Sequence, residues 1–156
     1  VSKAAKGRFT IKSAGALFLL SAVFELLSLT SSVPLFGTIQ SGPLMVVYHA
    51  FYTALFLIIG IGLWAPKQWA FKGVLAGTCF FTLDKILFLL DPALMETFLV
   101  QQLGSYREIL QMIDTAALLR IYGYTMVMSI ACWWGFVLYL HIRRDYFRKQ
   151  KNNLEK

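Results

Sequence analysis

LMVVYHAFYTALFLIIGIGLW, residues 44–64, is followed after only Ala65-Pro66-Lys67-Gln68 by WAFKGVLAGTCFFTLDKILFLL, residues 69–90. At 1.5 Å of rise per helical residue, each run is long enough to cross a hydrocarbon core of about 30 Å. So short a connector forces an antiparallel pair of helices. Working outward, two more apolar runs of spanning length occur, at about 11–30 and 118–142. The sequence therefore predicts an all-α membrane protein: an antiparallel bundle of four transmembrane helices forming a single membrane domain over 1–156.

Composition points the same way. Hydrophobic residues make up 58% of the chain and charged ones only 15%, against about a quarter charged in a soluble domain. So few charges cannot cover a water-facing surface. The formal charge of +7 would raise the question of nucleic acid in a soluble protein. Here the cations sit in short patches beside the apolar runs, as membrane flanks do, so nucleic acid is not an expected partner. The first apolar run is too long for a signal-peptide core and is expected to remain as the first span. Cys79 and Cys132 lie in separate spans without a CxxC spacing and read as packing residues.

The connectors differ in character. The first, 31–43, is rich in Ser, Gly and Pro and carries no charge, and Pro43 suits the first turn of a helix. Asp91-Pro92 ends the third span and opens an amphipathic segment over about 93–116. There Leu94, Met95, Phe98, Leu99, Leu103, Tyr106, Ile109, Leu110 and Ile113 recur at helical spacing among polar residues. Gly104 is expected to divide it into two short helices that lie along the membrane surface or cap the bundle.

Orientation follows from the excess of Lys and Arg on cytoplasmic flanks. Lys3, Lys6, Arg8, Lys12, Lys67, Lys72 and the basic tail, 143–156, fall on one side if the chain starts inside. Asp91, Glu96, Arg107, Glu108 and Asp114 fall on the other. Both termini are therefore expected in the cytoplasm.

Ionisable groups inside a span cost about 2.5–3.5 kcal/mol each and normally face other helices or a wet cavity. Glu25, His49, Asp84 and Lys85 lie within the first three spans, and Arg120 near the start of the fourth. Counted from the outer helix ends, Glu25, His49 and Asp84 share one layer roughly 8–9 Å deep. Glu25 shares its helix face with Ala14, Ser21, Ala22 and Ser28, and Asp84 shares its face with Gly73 and Gly77, so both acids are expected to face helices. With Tyr48, Tyr52 and Tyr124, these residues form the candidate ligand-binding or polar network, and their formal charges cancel. The layer reads first as a structural clasp and second as a small polar pocket.

Sharper chemistries fit less well. His49 and His141 lie at opposite depths, which disfavours haem ligation, and no compact metal-ligand motif occurs. No GxSxG, HExxH, phosphate-binding loop or dinucleotide fingerprint is present, and nothing points to a particular cofactor. Three functions follow, in order of fit. The first is a non-catalytic accessory or assembly protein, or one that binds a lipophilic small molecule, with membrane lipids, a larger membrane complex or further copies of itself as partners. The second is a membrane-embedded enzyme acting on a lipid, isoprenoid or quinone, with Glu25, His49 and Asp84 as catalytic candidates. The third is a proton- or ion-coupled carrier or channel subunit working as an oligomer.

Overall fold

The computed structural model describes residues 7–65, 67–104, 114–144 and 147. Among these the chain is mostly helical: α1 (Arg8–Leu27), a hairpin of β1 (Val33–Leu35) and β2 (Thr38–Gln40), α2 (Pro43–Trp64), α3 (Gln68–Leu89), α4 (Pro92–Leu103) and α5 (Thr115–Ile142). The helices α1, α2 and α5 are each long and apolar enough to cross a membrane. A fourth candidate is α3 taken with α4 across a bend of 97°. On its own α3 is less apolar because it carries Lys72, Asp84 and Lys85.

Helix boundaries follow local chemistry. Pro43 opens α2 at a position where its missing N–H is not needed. Asp91 caps α4, its Oδ1 accepting from the Leu94 amide at 2.9 Å with Pro92 in the first turn. Asp114 caps α5 through the Ala116 amide at 3.1 Å, so α5 starts three residues earlier than expected. The amphipathic segment is helical as far as Leu103. The expected second short helix, with Tyr106, Arg107, Glu108, Ile109, Leu110 and Ile113, lies outside the described residues, as do Lys3, Lys6 and the tail residues beyond Phe147.

The uncharged first connector holds the feature that composition did not reveal. Val33 pairs with Gln40, Pro34 with Ile39 and Leu35 with Thr38 in antiparallel register, leaving Phe36-Gly37 as a two-residue turn. Both turn residues have positive φ, 47° and 78°, as the tight I′ hairpin turn requires. Glycine adopts this freely; a bulky Phe is strained there.

The helices meet in antiparallel register. Between α1 and α2, the approach is backbone to backbone: a Cβ on Gly15 would lie 3.0 Å from the Gly60 carbonyl and 3.1 Å from the Trp64 amide. No residue but glycine fits such a contact without shifting a helix. The fully buried residues of α1 are Ile11, Gly15 and Ala22; of the expected small-residue strip, Ala22 is among them, and Ala14 and Ser21 are partly buried, Ala14 against the apolar cluster at that end. Gly73 and Gly77 of α3 do face α2, in ordinary contact with Ile59 and Leu55.

Two apolar clusters fill the interior. At the end where the termini lie, Ile11, Ile59, Leu63, Ala70, Val74, Val137, Leu140 and Phe147 are buried together. Midway, Trp133 of α5 stands 5.4 Å from Phe18 of α1, 6.4 Å from Phe56 of α2 and 5.5 Å from Phe81 of α3, ring to ring. Outward faces keep large exposed side chains such as Leu17, Val47, Ile61 and Met128. A lipid environment accepts these; water would not.

Candidate polar site at the hairpin end

His49 is fixed on the buried face of α2, 4% exposed. Its Nδ1 lies 2.6 Å from Glu25 Oε2 on α1, and its Nε2 lies 3.1 Å from the Ser31 carbonyl oxygen. The second contact determines the state of the ring. A carbonyl has no proton to give, so Nε2 must carry one and donate it. The short contact between Nδ1 and Oε2 then holds a single shared proton. Whether this is written as imidazolium with carboxylate or as imidazole with carboxylic acid, the pair is neutral. Neutrality is the condition under which such groups survive at low dielectric.

Asp84 on α3 is fully buried and Lys85 is 9% exposed. Adjacent residues on a helix point about 100° apart, so Lys85 reaches its neighbour only by bending its long stem back, which places Nζ 2.8 Å from Asp84 Oδ2. The other oxygen, Oδ1, accepts the Phe36 amide at 2.9 Å. This bond, with the Phe36 ring 5.4 Å from Phe80, fastens the strained hairpin turn over the end of α3. Gln101 and Gln102 of α4 donate to Ser32 at 3.2 and 3.5 Å, so α4 holds the base of the same hairpin.

Tyr48 and Tyr52 sit between the two pairs, their rings 4.7 Å apart and within electrostatic reach of both Glu25 and Asp84. The Tyr52 hydroxyl and the Thr53 hydroxyl are buried and have no hydrogen-bond partner among the described residues.

The layer expected from sequence is therefore gathered in part. Glu25, Tyr48, His49, Tyr52, Asp84 and Lys85 come together, as two separate neutral pairs rather than one four-charge network. The structure does not bring Arg120 or Tyr124 to them. Arg120 is exposed, its Nε turned back to the Ala116 carbonyl at 3.2 Å and Nη2 4.0 Å from Asp114, and Tyr124 is 70% exposed. The partners that sequence reasoning missed are main-chain groups, the Ser31 carbonyl and the Phe36 amide. The sole sequence trace of them is Phe36-Gly37 between short apolar runs. Among the described residues, no three His, Cys, Asp or Glu side chains come together as a metal site.

A second concavity lies apart from these pairs. It is a groove of about 310 Å³ along the α1–α5 seam, lined by Ala14, Leu17, Phe18, Ser21, Cys132, Trp133 and Phe136. Its floor is the aromatic contact of Phe18 with Trp133 and, at 6.0 Å, with Phe136. The lining is mostly apolar, its polar side-chain groups being the Ser21 hydroxyl, the Cys132 thiol and the Trp133 indole N–H.

Comparison with known proteins adds no relative to this picture: no family model, no curated protein and no solved structure matches the chain. The structure defines a class, a small, mostly helical protein with three to four helices long and apolar enough to span a membrane and with paired polar groups at its hairpin end.

Proposed function

We propose that this is a polytopic protein of four spans arranged as an antiparallel bundle, with both termini cytoplasmic, that acts without catalysis as a membrane accessory protein binding a lipophilic chain. The observation that carries the reading is the engagement of His49 and Asp84 on every polar atom of their side chains. Both nitrogens of His49 and both oxygens of Asp84 are engaged within the protein, which leaves neither free to take a substrate proton. The pairs serve as a clasp: Glu25–His49 joins α1 to α2, and Asp84 ties the hairpin to α3. The groove, by contrast, is apolar and at the lower end of the volumes that hold small ligands.

A second reading, a proton-handling enzyme or carrier built on Glu25, His49 and Asp84, draws on the unpartnered hydroxyls of Tyr52 and Thr53 beside the pairs. The experiment that separates the two replaces Glu25, His49 and Asp84 one at a time with Gln, Gln and Asn. Thermal stability in detergent and retention of a spin-labelled acyl chain are then measured on each. The clasp reading expects lower stability with the acyl chain retained. Unchanged stability together with lost binding or turnover would favour the second reading and defeat the first.

A further inference from the structure

Toward the termini, the α1–α5 seam that carries the groove becomes polar. Gly7, just before α1, is held against α5 so closely that a Cβ there would lie 2.9 Å from Tyr139 Oη and 3.5 Å from Arg143 Nε. The Arg143 guanidinium lies 6.0 Å from the centre of the Tyr139 ring. Its Nε is buried and has no hydrogen-bond acceptor among the described residues. Removing a charged donor from water without an acceptor is costly, and the planar guanidinium is the side-chain group best matched to phosphate oxygens.

Charge is segregated around this point. Among the described residues, the acids Glu25, Asp84, Asp91, Glu96 and Asp114 all lie toward the hairpin end, where Lys85 and Arg120 each stand beside one of them, whereas the other six bases, Arg8, Lys12, Lys67, Lys72, Arg143 and Arg144, lie toward the opposite end. The spacing along the seam is also suggestive of one ligand. From Arg143 to Phe136, and from Gly7 to Ala14, is seven residues, or about 10 Å along each helix. The groove thus begins about 10 Å inward from the cationic end, within the acyl depth of a hydrocarbon leaflet roughly 15 Å thick.

We propose that the seam binds one anionic phospholipid, with its phosphate held by Arg143 and Tyr139 Oη and flanked by Arg8 and Arg144, and with one acyl chain in the groove. This rests on the reading of the groove as a site for a lipophilic chain and names its occupant. A free phosphate would account for Arg143 alone. A phospholipid accounts for Arg143 and the groove together.

The test uses the full chain in mild detergent, offered equal amounts of phosphatidylglycerol and phosphatidylcholine with identical acyl chains, and reads retained lipid by native mass spectrometry. The native protein is expected to retain phosphatidylglycerol about 10-fold over phosphatidylcholine: both offer phosphate oxygens, but the quaternary ammonium of choline cancels the net charge that the cluster of arginines attracts, at about 1 kcal/mol per basic residue. Arg143→Gln should bring that ratio below about 2-fold without reducing total lipid, and Arg143→Lys should restore part of it, which a merely misfolded variant would not do. Ser21→Phe, which fills the groove, should lower retention of both lipids. An unchanged preference in Arg143→Gln, or bound lipid without preference in the native protein, overturns the headgroup assignment. Retention of both lipids unchanged by Ser21→Phe overturns the groove reading and the proposal with it.

Discussion

Replacing Asp84 with Ala removes the partner of a lysine that has little other access to water. Truncating one member of a buried ion pair costs about 3–5 kcal/mol in soluble proteins. Two features set the value here. The Lys85 stem can straighten toward an interface, which moves the cost to the lower end of that range. The Phe36 amide loses its acceptor too, but Phe36 is 44% exposed, so water can replace the bond and the loss stays under about 1 kcal/mol. We expect Asp84→Ala to destabilise by about 3 kcal/mol. Lys85→Met should cost about 1 kcal/mol, since the remaining carboxyl can take up a proton and keep its bond to Phe36. The double variant should lie within about 1 kcal/mol of the native chain, giving a coupling of about 3–5 kcal/mol. Hydrogen bonds between membrane helices measured by the same cycle average only about 0.6 kcal/mol, with a maximum near 1.7. Equilibrium unfolding in mixed micelles across the four proteins decides the matter. A coupling at or below about 0.6 kcal/mol would show that Lys85 is hydrated, and the buried-clasp argument would fail.

Other perturbations separate the parts of the fold. Arg120→Gln should change stability by less than about 0.5 kcal/mol in the same unfolding assay, because its partner Asp114 is as exposed as it is; a loss comparable to that of Asp84→Ala would return Arg120 to the polar layer. Gly60→Ala should cost about 1–3 kcal/mol by forcing α1 from α2, while Gly135→Ala, whose Cβ would meet nothing within 4 Å, should be neutral or gain up to about 1 kcal/mol of helix propensity. Thermal melts should show a lower midpoint for Gly60→Ala and an unchanged or higher one for Gly135→Ala. Gly37→Val should destabilise the hairpin by about 1–2 kcal/mol through backbone strain alone, visible as faster amide exchange at Phe36, and Gly37→Asn should be tolerated.

The runs of spanning length are legible in sequence because hydrophobic length is a one-dimensional property. The contributions of Glu25, His49 and Asp84 are legible because an ionisable group in such a run must find a partner. What could not be read is rotation about a helix that is apolar on every side. In α5 only Val137 and Leu140 are buried, so no apolar stripe announced that Arg120 and Tyr124 face away from the polar pairs. On α1 the sequence placed Glu25 and Ala22 toward a neighbouring helix but did not single out Gly15, because small size alone does not say which residue lets two backbones touch. The hairpin escaped because its strands are three residues long, and because the groups it offers to His49 and Asp84 belong to the main chain, which is the same at every position.

The pairing of Glu25 with His49 bears on the order in which the helices come together. Glu25 is synthesised before His49, so α1 must be accommodated while its partner is still missing. Only when α2 follows does Glu25 Oε2 meet its partner, His49 Nδ1. Glu25→Gln should therefore leave α1 formed while loosening its grip on α2, read as a lower melting temperature in detergent.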